Sequence, residues 1–190
     1  MIGLLSTLAF AAPTFVPPTD AEWAKIESGS VVSRSAPELV PPGAFAWVEI
    51  EASADDIWAV LLDPAQAVEA SGSVTSCKMY RDEPNGAGRT IGLDYLLTVA
   101  WTDISYHVLR DFQPGEGWMT WTLDPAYDND LVSSSGFYRI DPGHTAGHLL
   151  LSYRTQADSG RRIPAWIQQF LSGKALKGYL GFVQKKAEAT

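Results

Sequence analysis

The sequence holds one cysteine, Cys77, and three histidines in 190 residues. A single cysteine permits no intramolecular disulfide and no cysteine-rich metal site, so the fold must be held by its core. Basic residues are also scarce, with 14 Lys and Arg against 22 Asp and Glu, a net charge of −8. The basic pairs Arg161-Arg162 and Lys185-Lys186 are the longest basic runs. That removes the electrostatic footprint needed for nucleic acid or another polyanion. No internal repeat or coiled-coil heptad array is present, which argues against a structural scaffold.

What is abundant is apolar and aromatic. Hydrophobic residues make up 46% of the chain, with seven each of Trp, Tyr and Phe, enough for one domain with a sizeable core. The first residues, MIGLLSTLAFAAP, form an apolar run too short to span a bilayer. It ends in Ala9-Phe10-Ala11, a small-x-small cleavage pattern, although no Lys or Arg precedes the run. Residues 1–11 are therefore expected to be a signal peptide, with export to the periplasm or exterior; a cytoplasmic location is the alternative.

Residues 12–43 read as an N-terminal strap. A Pro-rich lead is followed by a short helix capped by Thr19 or Asp20, with Trp23 and Ile26 on one face and a stop near Gly29. Val31-Val32 can add a short strand, and 35–43, with three prolines, is expected as loop. Residues 44–52 alternate as a half-buried strand, with Ala46, Val48 and Ile50 on one face and Trp47, Glu49 and Glu51 on the other. Ser53 with Asp56 resembles a capping box opening a helix whose apolar face is Ile57, Trp58, Leu61 and Leu62. Asp63-Pro64 ends that helix and starts a shorter one, to Ala70.

Six strand candidates follow: 74–81, 88–99, 101–112, 117–124, 133–141 and 147–155, separated by turn-rich links such as Pro84-Asn85-Gly86 and Asp141-Pro142-Gly143. Short links make neighbouring strands antiparallel. The chain closes on an amphipathic helix over 163–186. Pro164 sits in its first turn, Trp166, Phe170, Leu176, Leu180 and Val183 lie on its apolar stripe, and Gly173, Gly178 and Gly181 fall inside it. Each internal glycine costs ~1 kcal/mol relative to Ala. Two readings are open and compatible: a sheet packs closely on the glycines, or they leave room for a ligand. The fold class is α+β, a curved seven-stranded antiparallel sheet wrapped around the C-terminal helix.

This element order, with the strings VEIEASADDIWAVLLDP, GFYRIDP, LLLSYRT and RRIPAWIQQFLSGKALKGYLGFVQKKAE, resembles the START-like superfamily of polyketide cyclases and lipid-transport proteins, the helix-grip or birch-pollen-allergen-like fold, also called SRPBCC. The resemblance covers about residues 20–188, with the START-like domain itself at 44–188. It implies a hydrophobic cavity between sheet and long helix that holds a lipid, sterol, quinone or polyketide. Some relatives are enzymes, yet the superfamily carries no universal catalytic motif.

The residues themselves favour binding over chemistry. Asp103 and His107 share a strand face but stand ~13 Å apart along it, too far for a shared ion, and His144 and His148 only flank a turn. There is no Gly-x-Ser-x-Gly elbow, and Asp128-Asn129-Asp130 reads first as solvated loop. Tyr95, Tyr106, Trp121, Tyr138 and Tyr153 instead recur on the aliphatic strand faces, with Trp166 and Phe170 opposite on the helix. Such rings bury area while keeping a polar group to orient a ligand, and they are equally able to fill a core. The expected function is binding or transport of a hydrophobic small molecule; the alternative is a cyclase or aromatase using the same cavity. No catalytic set, metal, cofactor or obligate protein partner is expected. Membrane contact, if any, would be transient and serve ligand exchange.

Overall fold

The computed structural model describes residues 12–99, 101–160 and 174–190. In chain order they form α1 (Asp20–Ile26), β1 (Val32–Ala36), β2 (Gly43–Ile50), α2 (Ala54–Leu62), α3 (Pro64–Ala70), β3 (Val74–Asn85), β4 (Gly88–Val99), β5 (Thr102–Gln113), β6 (Trp118–Leu123), β7 (Ser133–Pro142), β8 (Leu149–Asp158) and α4 (Lys174–Ala187). The expected start of the last helix, 163–173, lies outside the described residues.

Local chemistry sets the helix starts. Thr19 accepts from the Glu22 N–H while the Glu22 carboxylate accepts the Thr19 N–H at 2.8 Å, a complete capping box for α1. At α2, Ser53 accepts the Asp56 N–H, but the Asp56 carboxylate takes the Ser53 hydroxyl at 2.5 Å rather than its N–H. Asp63 caps α3 by accepting from the Ala65 N–H at 2.8 Å, with Pro64 in the first turn, where its missing donor costs nothing.

The strands form one antiparallel sheet in the order β1-β2-β8-β7-β6-β5-β4-β3, so β1 and β3 are its edges. The sheet has eight strands, not the seven expected. The extra one is β1, which runs to Ala36, past the point where loop was expected at Ser35, and pairs with β2 from Val32↔Trp47 to Ala36↔Gly43. Edge strand β3 carries two register shifts, between Val74 and Ser76 and between Met79 and Arg81.

The inner face of the sheet, with α2 and α4, builds the main core. Ala46, Val48 and Ile50 of β2, Ile91 and Leu93 of β4, Ile104 and Val108 of β5, Met119 of β6 and Leu151 of β8 meet Ile57, Trp58 and Leu61 of α2 and Leu176, Leu180 and Val183 of α4. Helix α4 is pinned to β2 by a Gln184 side chain that donates to the Glu49 carbonyl at 3.0 Å.

Strand β2 is not half-buried, as its alternation suggested, but buried on both faces. Its outer residues Phe45 and Trp47 form a second core with Ile26, Val32, Ala36 and Leu150, because the N-terminal strap folds back over them. The Trp47 indole donates to the Val16 carbonyl at 3.2 Å. The Arg34 guanidinium stands 4.8 Å over the Trp47 ring and pairs with Glu22 at 3.2 Å. At the far end of the strap, Trp23 stacks on His144 with ring centroids 3.6 Å apart. Glu49, expected outside, is buried and accepts from the His144 N–H, the Thr145 N–H and the Thr145 hydroxyl. Burial works to raise its pKa, but these hydrogen bonds outweigh that and hold the carboxyl below its ordinary range.

Trp47 is therefore a core residue on the face that a one-layer antiparallel sheet would leave to water. Trp47→Ala is expected to cost ~3–5 kcal/mol, read as a drop in the urea midpoint with an unchanged slope.

Candidate functional site

Between the inner face and α4 lies a cavity of about 360 Å³. Its walls follow from strand alternation. Tyr95 and Leu97 of β4, Tyr106, Val108 and Arg110 of β5, Trp121 of β6, Tyr138 of β7 and Tyr153 of β8 all point to one side, and α4 adds Leu176, Gly178 and Tyr179. The loop after α3, Ser71-Gly72-Ser73, closes one end. A second cavity of about 180 Å³ adjoins it and shares Tyr106, Ser134, Tyr153 and Thr155.

The rings form two groups. Tyr95 and Tyr106 face each other across the β4–β5 ladder and stack at 5.3 Å. Trp121, Tyr138 and Tyr153 cluster from β6, β7 and β8, with centroid separations of 5.2, 5.5 and 4.7 Å, and Tyr179 of α4 stands 6.4 Å from Tyr138 and from Tyr153. Gly136 makes the second group feasible. It lies opposite Trp121 in the ladder, and a Cβ there would come within 2.3 Å of the indole and 2.1 Å of the Arg154 carbonyl. Only a glycine lets the Trp121 ring lie across β7.

Gly178 bears on the two readings of the helix glycines. A Cβ added there would meet nothing within 4 Å, and one at Gly181 would make ordinary contact with Val31 at 3.7 Å. Gly178 therefore faces open space and not a close-packed sheet. Gly173 lies outside the described residues.

All five strand rings singled out from the sequence, Tyr95, Tyr106, Trp121, Tyr138 and Tyr153, line this one cavity. Trp166 and Phe170 lie outside the described residues. Two wall residues were missed. Tyr179 of α4 is not among the residues the sequence singles out. Arg110 was passed over although it sits in phase with Ile104, Tyr106, Val108 and Phe112; a cation within an apolar alternation was the available signal.

Arg110 is 6% exposed. One Nη donates to the Leu61 carbonyl at 2.9 Å, the other to the Tyr95 hydroxyl at 2.8 Å, and Nε has no partner. Burial opposes its charge, but the surrounding tyrosine oxygens, Tyr95 first, outweigh this, and the guanidinium stays a cation. The hydroxyls of Tyr95, Tyr106, Tyr138, Tyr153 and Tyr179 are all raised above the ordinary tyrosine pKa, in each case chiefly by burial; Tyr153 is pushed up to about 12. They are neutral donors and acceptors at neutral pH. The cavity can thus hold an apolar body among rings while offering hydroxyls and one positive charge.

The histidines lie elsewhere. His107 is on the outer face, stacked on Tyr127 at 4.1 Å and 3.6 Å from Asp94, its cross-strand partner. Among the described residues no group of three or more His, Cys, Asp or Glu is placed to hold a metal ion.

No protein-family model matches the sequence and no curated protein matches it. Solved structures do match in fold. A STAR-related lipid transfer protein from Xanthomonas axonopodis is 18% identical, with 82% of this chain and 90% of that one covered and a TM-score of 0.61. Human STARD10 is 17% identical over 92% of this chain and 83% of its own, also at 0.61. The Zhui aromatase/cyclase from Streptomyces sp. R1128 is 16% identical over 83% and 94%, at 0.56.

The raised tyrosines have a consequence for stability. A hydroxyl whose pKa is higher folded than unfolded stabilises fully below the unfolded value, about 10, and loses that contribution as pH rises toward the folded value. The melting temperature is expected to fall steeply above about pH 10. Absorbance at 295 nm should show most of the seven tyrosines ionising only in step with unfolding.

Proposed function

We propose that this chain, which has the START-like fold, binds and carries a hydrophobic small molecule in the cavity between its sheet and α4. The observation that carries the reading is the conjunction of about 360 Å³ of space with five tyrosines and a tryptophan on its walls. A ring-filled core would have closed that space; here even a Cβ added at Gly178, on its wall, would meet nothing within 4 Å. The volume lies toward the small end of ligand sites, ~300–1,000 Å³, and suits a single chain or a few fused rings better than two acyl chains.

A second reading, a cyclase or aromatase, is favoured by one observation. The Arg110–Tyr95 pair, at 2.8 Å inside the cavity, could stabilise an enolate if a polyketide lay beside it. The two readings separate on a Tyr95→Phe variant. A carrier loses only an orienting hydrogen bond, about 0.5–1.5 kcal/mol of affinity, whereas an enzyme loses turnover with binding retained.

The direct test is native mass spectrometry of the protein purified from its source, followed by identification of the extracted molecule. A bound apolar small molecule is expected. Calorimetry with that molecule should give a negative heat-capacity change, the mark of apolar burial. A protein recovered empty, with no apolar compound binding it, would sink the carrier reading.

Export belongs with this proposal, since the apolar run ends in Ala9-Phe10-Ala11, a small-x-small cleavage pattern. N-terminal sequencing of the protein from its source is expected to begin at Ala12. Intact Met1 in a cytosolic fraction would refute it.

A further inference from the structure

Arg110 is a buried charge whose compensation can be followed group by group. Among the described residues no carboxylate pairs with it, and its Nε–H has no partner of any kind. The remaining segments, residues 1–11, residue 100 and residues 161–173, contain no Asp or Glu, so no other part of the chain can supply one. The contact at Leu61 places the guanidinium at the C-terminal end of α2, where unpaired carbonyls carry roughly half a negative charge at most. The Tyr95 hydroxyl adds a dipole and no charge. About half of a positive charge is left in an interior that otherwise holds rings and aliphatics. Two of the five guanidinium N–H groups are used, leaving donors unfilled.

We propose that the ligand of this cavity is an amphiphile with a carboxylate-type monoanionic end held at Arg110 and an aromatic or unsaturated body among Tyr106, Trp121, Tyr138, Tyr153 and Tyr179. The inference rests on the carrier reading and narrows it. The planar fork of Arg matches a planar two-oxygen anion, and the attraction within such a pair is stronger in a dry interior than in water, with the guanidinium already desolvated by the fold. The stacking walls select the body: Tyr138 and Tyr153 stand 4.7 Å apart and Trp121 and Tyr153 are nearly parallel, at 19°. A neutral lipid or sterol would fill the space but leave the guanidinium as bare as before. The protein's own −8 charge does not draw anions to its surface, so selection for the anion must come from inside.

The test uses a matched pair of probes, pyrenebutyric acid and its methyl ester, with the full-length protein at pH 7. The acid is expected to bind at least about tenfold more tightly than the ester, a difference of about 1.4 kcal/mol. Arg110→Met should bring the acid's affinity down to that of the ester and leave the ester within about twofold of its original value. If the methionine variant does not fold, the acid-to-ester ratio in the unaltered protein decides alone. Equal or tighter binding of the ester would overturn the anion assignment and leave the carrier reading standing. Binding of neither probe, nor of any apolar compound from the source, would overturn both.

Discussion

A slip of β5 by one residue against β4 would carry Tyr106, Val108 and Arg110 to the outer face and bring His107 and Asp111 inward while Tyr95 stayed inside, because side chains alternate with a period of two. The ladder that prevents this runs from Arg89↔Phe112 to Val99↔Thr102. It sets Tyr95 against Tyr106 and brings Arg110 under the last turn of α2, where the Leu61 carbonyl meets it. The aliphatic members of the same phase, Ile91 and Leu93 of β4 and Ile104 and Val108 of β5, hold the register against a one-residue slip, since that slip would expose the pair on whichever strand moved. The site is thus a by-product of core pairing: the same alternation that buries the aliphatics delivers the rings and the cation.

That is also why so much was legible. The inner-face rings Tyr95, Trp121 and Tyr153 follow from alternation on β4, β6 and β8, and each joins the main core or packs against it. Helix starts at Thr19, Ser53 and Asp63 were readable because a cap is a local bargain between a side chain and the backbone two or three residues on. The misses are non-local. Nothing near Phe45 or Trp47 in sequence says that a segment ending at Ala36 will cover them, and β1 exists as a strand only because β2 offers it an edge. Arg110 was missed for another reason. Its neighbours predict burial, its charge predicts exposure, and only the carbonyl of a helix 49 residues away resolves the conflict.

The strap gives the sheet a stiffness that one covered face would not. Arg34 over Trp47, Trp23 on His144 and the buried Glu49 carboxylate tie α1, β1 and the β7–β8 turn into a single outer layer. On the opposite side Gln184 anchors α4 to the backbone of β2 at Glu49. Strand β2 is therefore fixed from both directions, and the cavity opens between elements farther along the sheet. A hollow interior forfeits contacts that a filled one would have. A second core on the outer face offsets part of that loss without intruding on the space.

The other edge of the sheet tells a different story about where this chain meets its own copies. Strand β3 offers unpaired backbone groups along one side, the usual invitation for a strand from another molecule. It answers with two bulges, with Lys78, Arg81, Asp82 and Glu83, and with Pro84, which has no N–H to give. A foreign strand would have to pair across irregular spacing and desolvate that row of charges. Growth of the sheet from molecule to molecule is thus disfavoured along β3, the longer of its two edges, by the strand's own irregularity and charge.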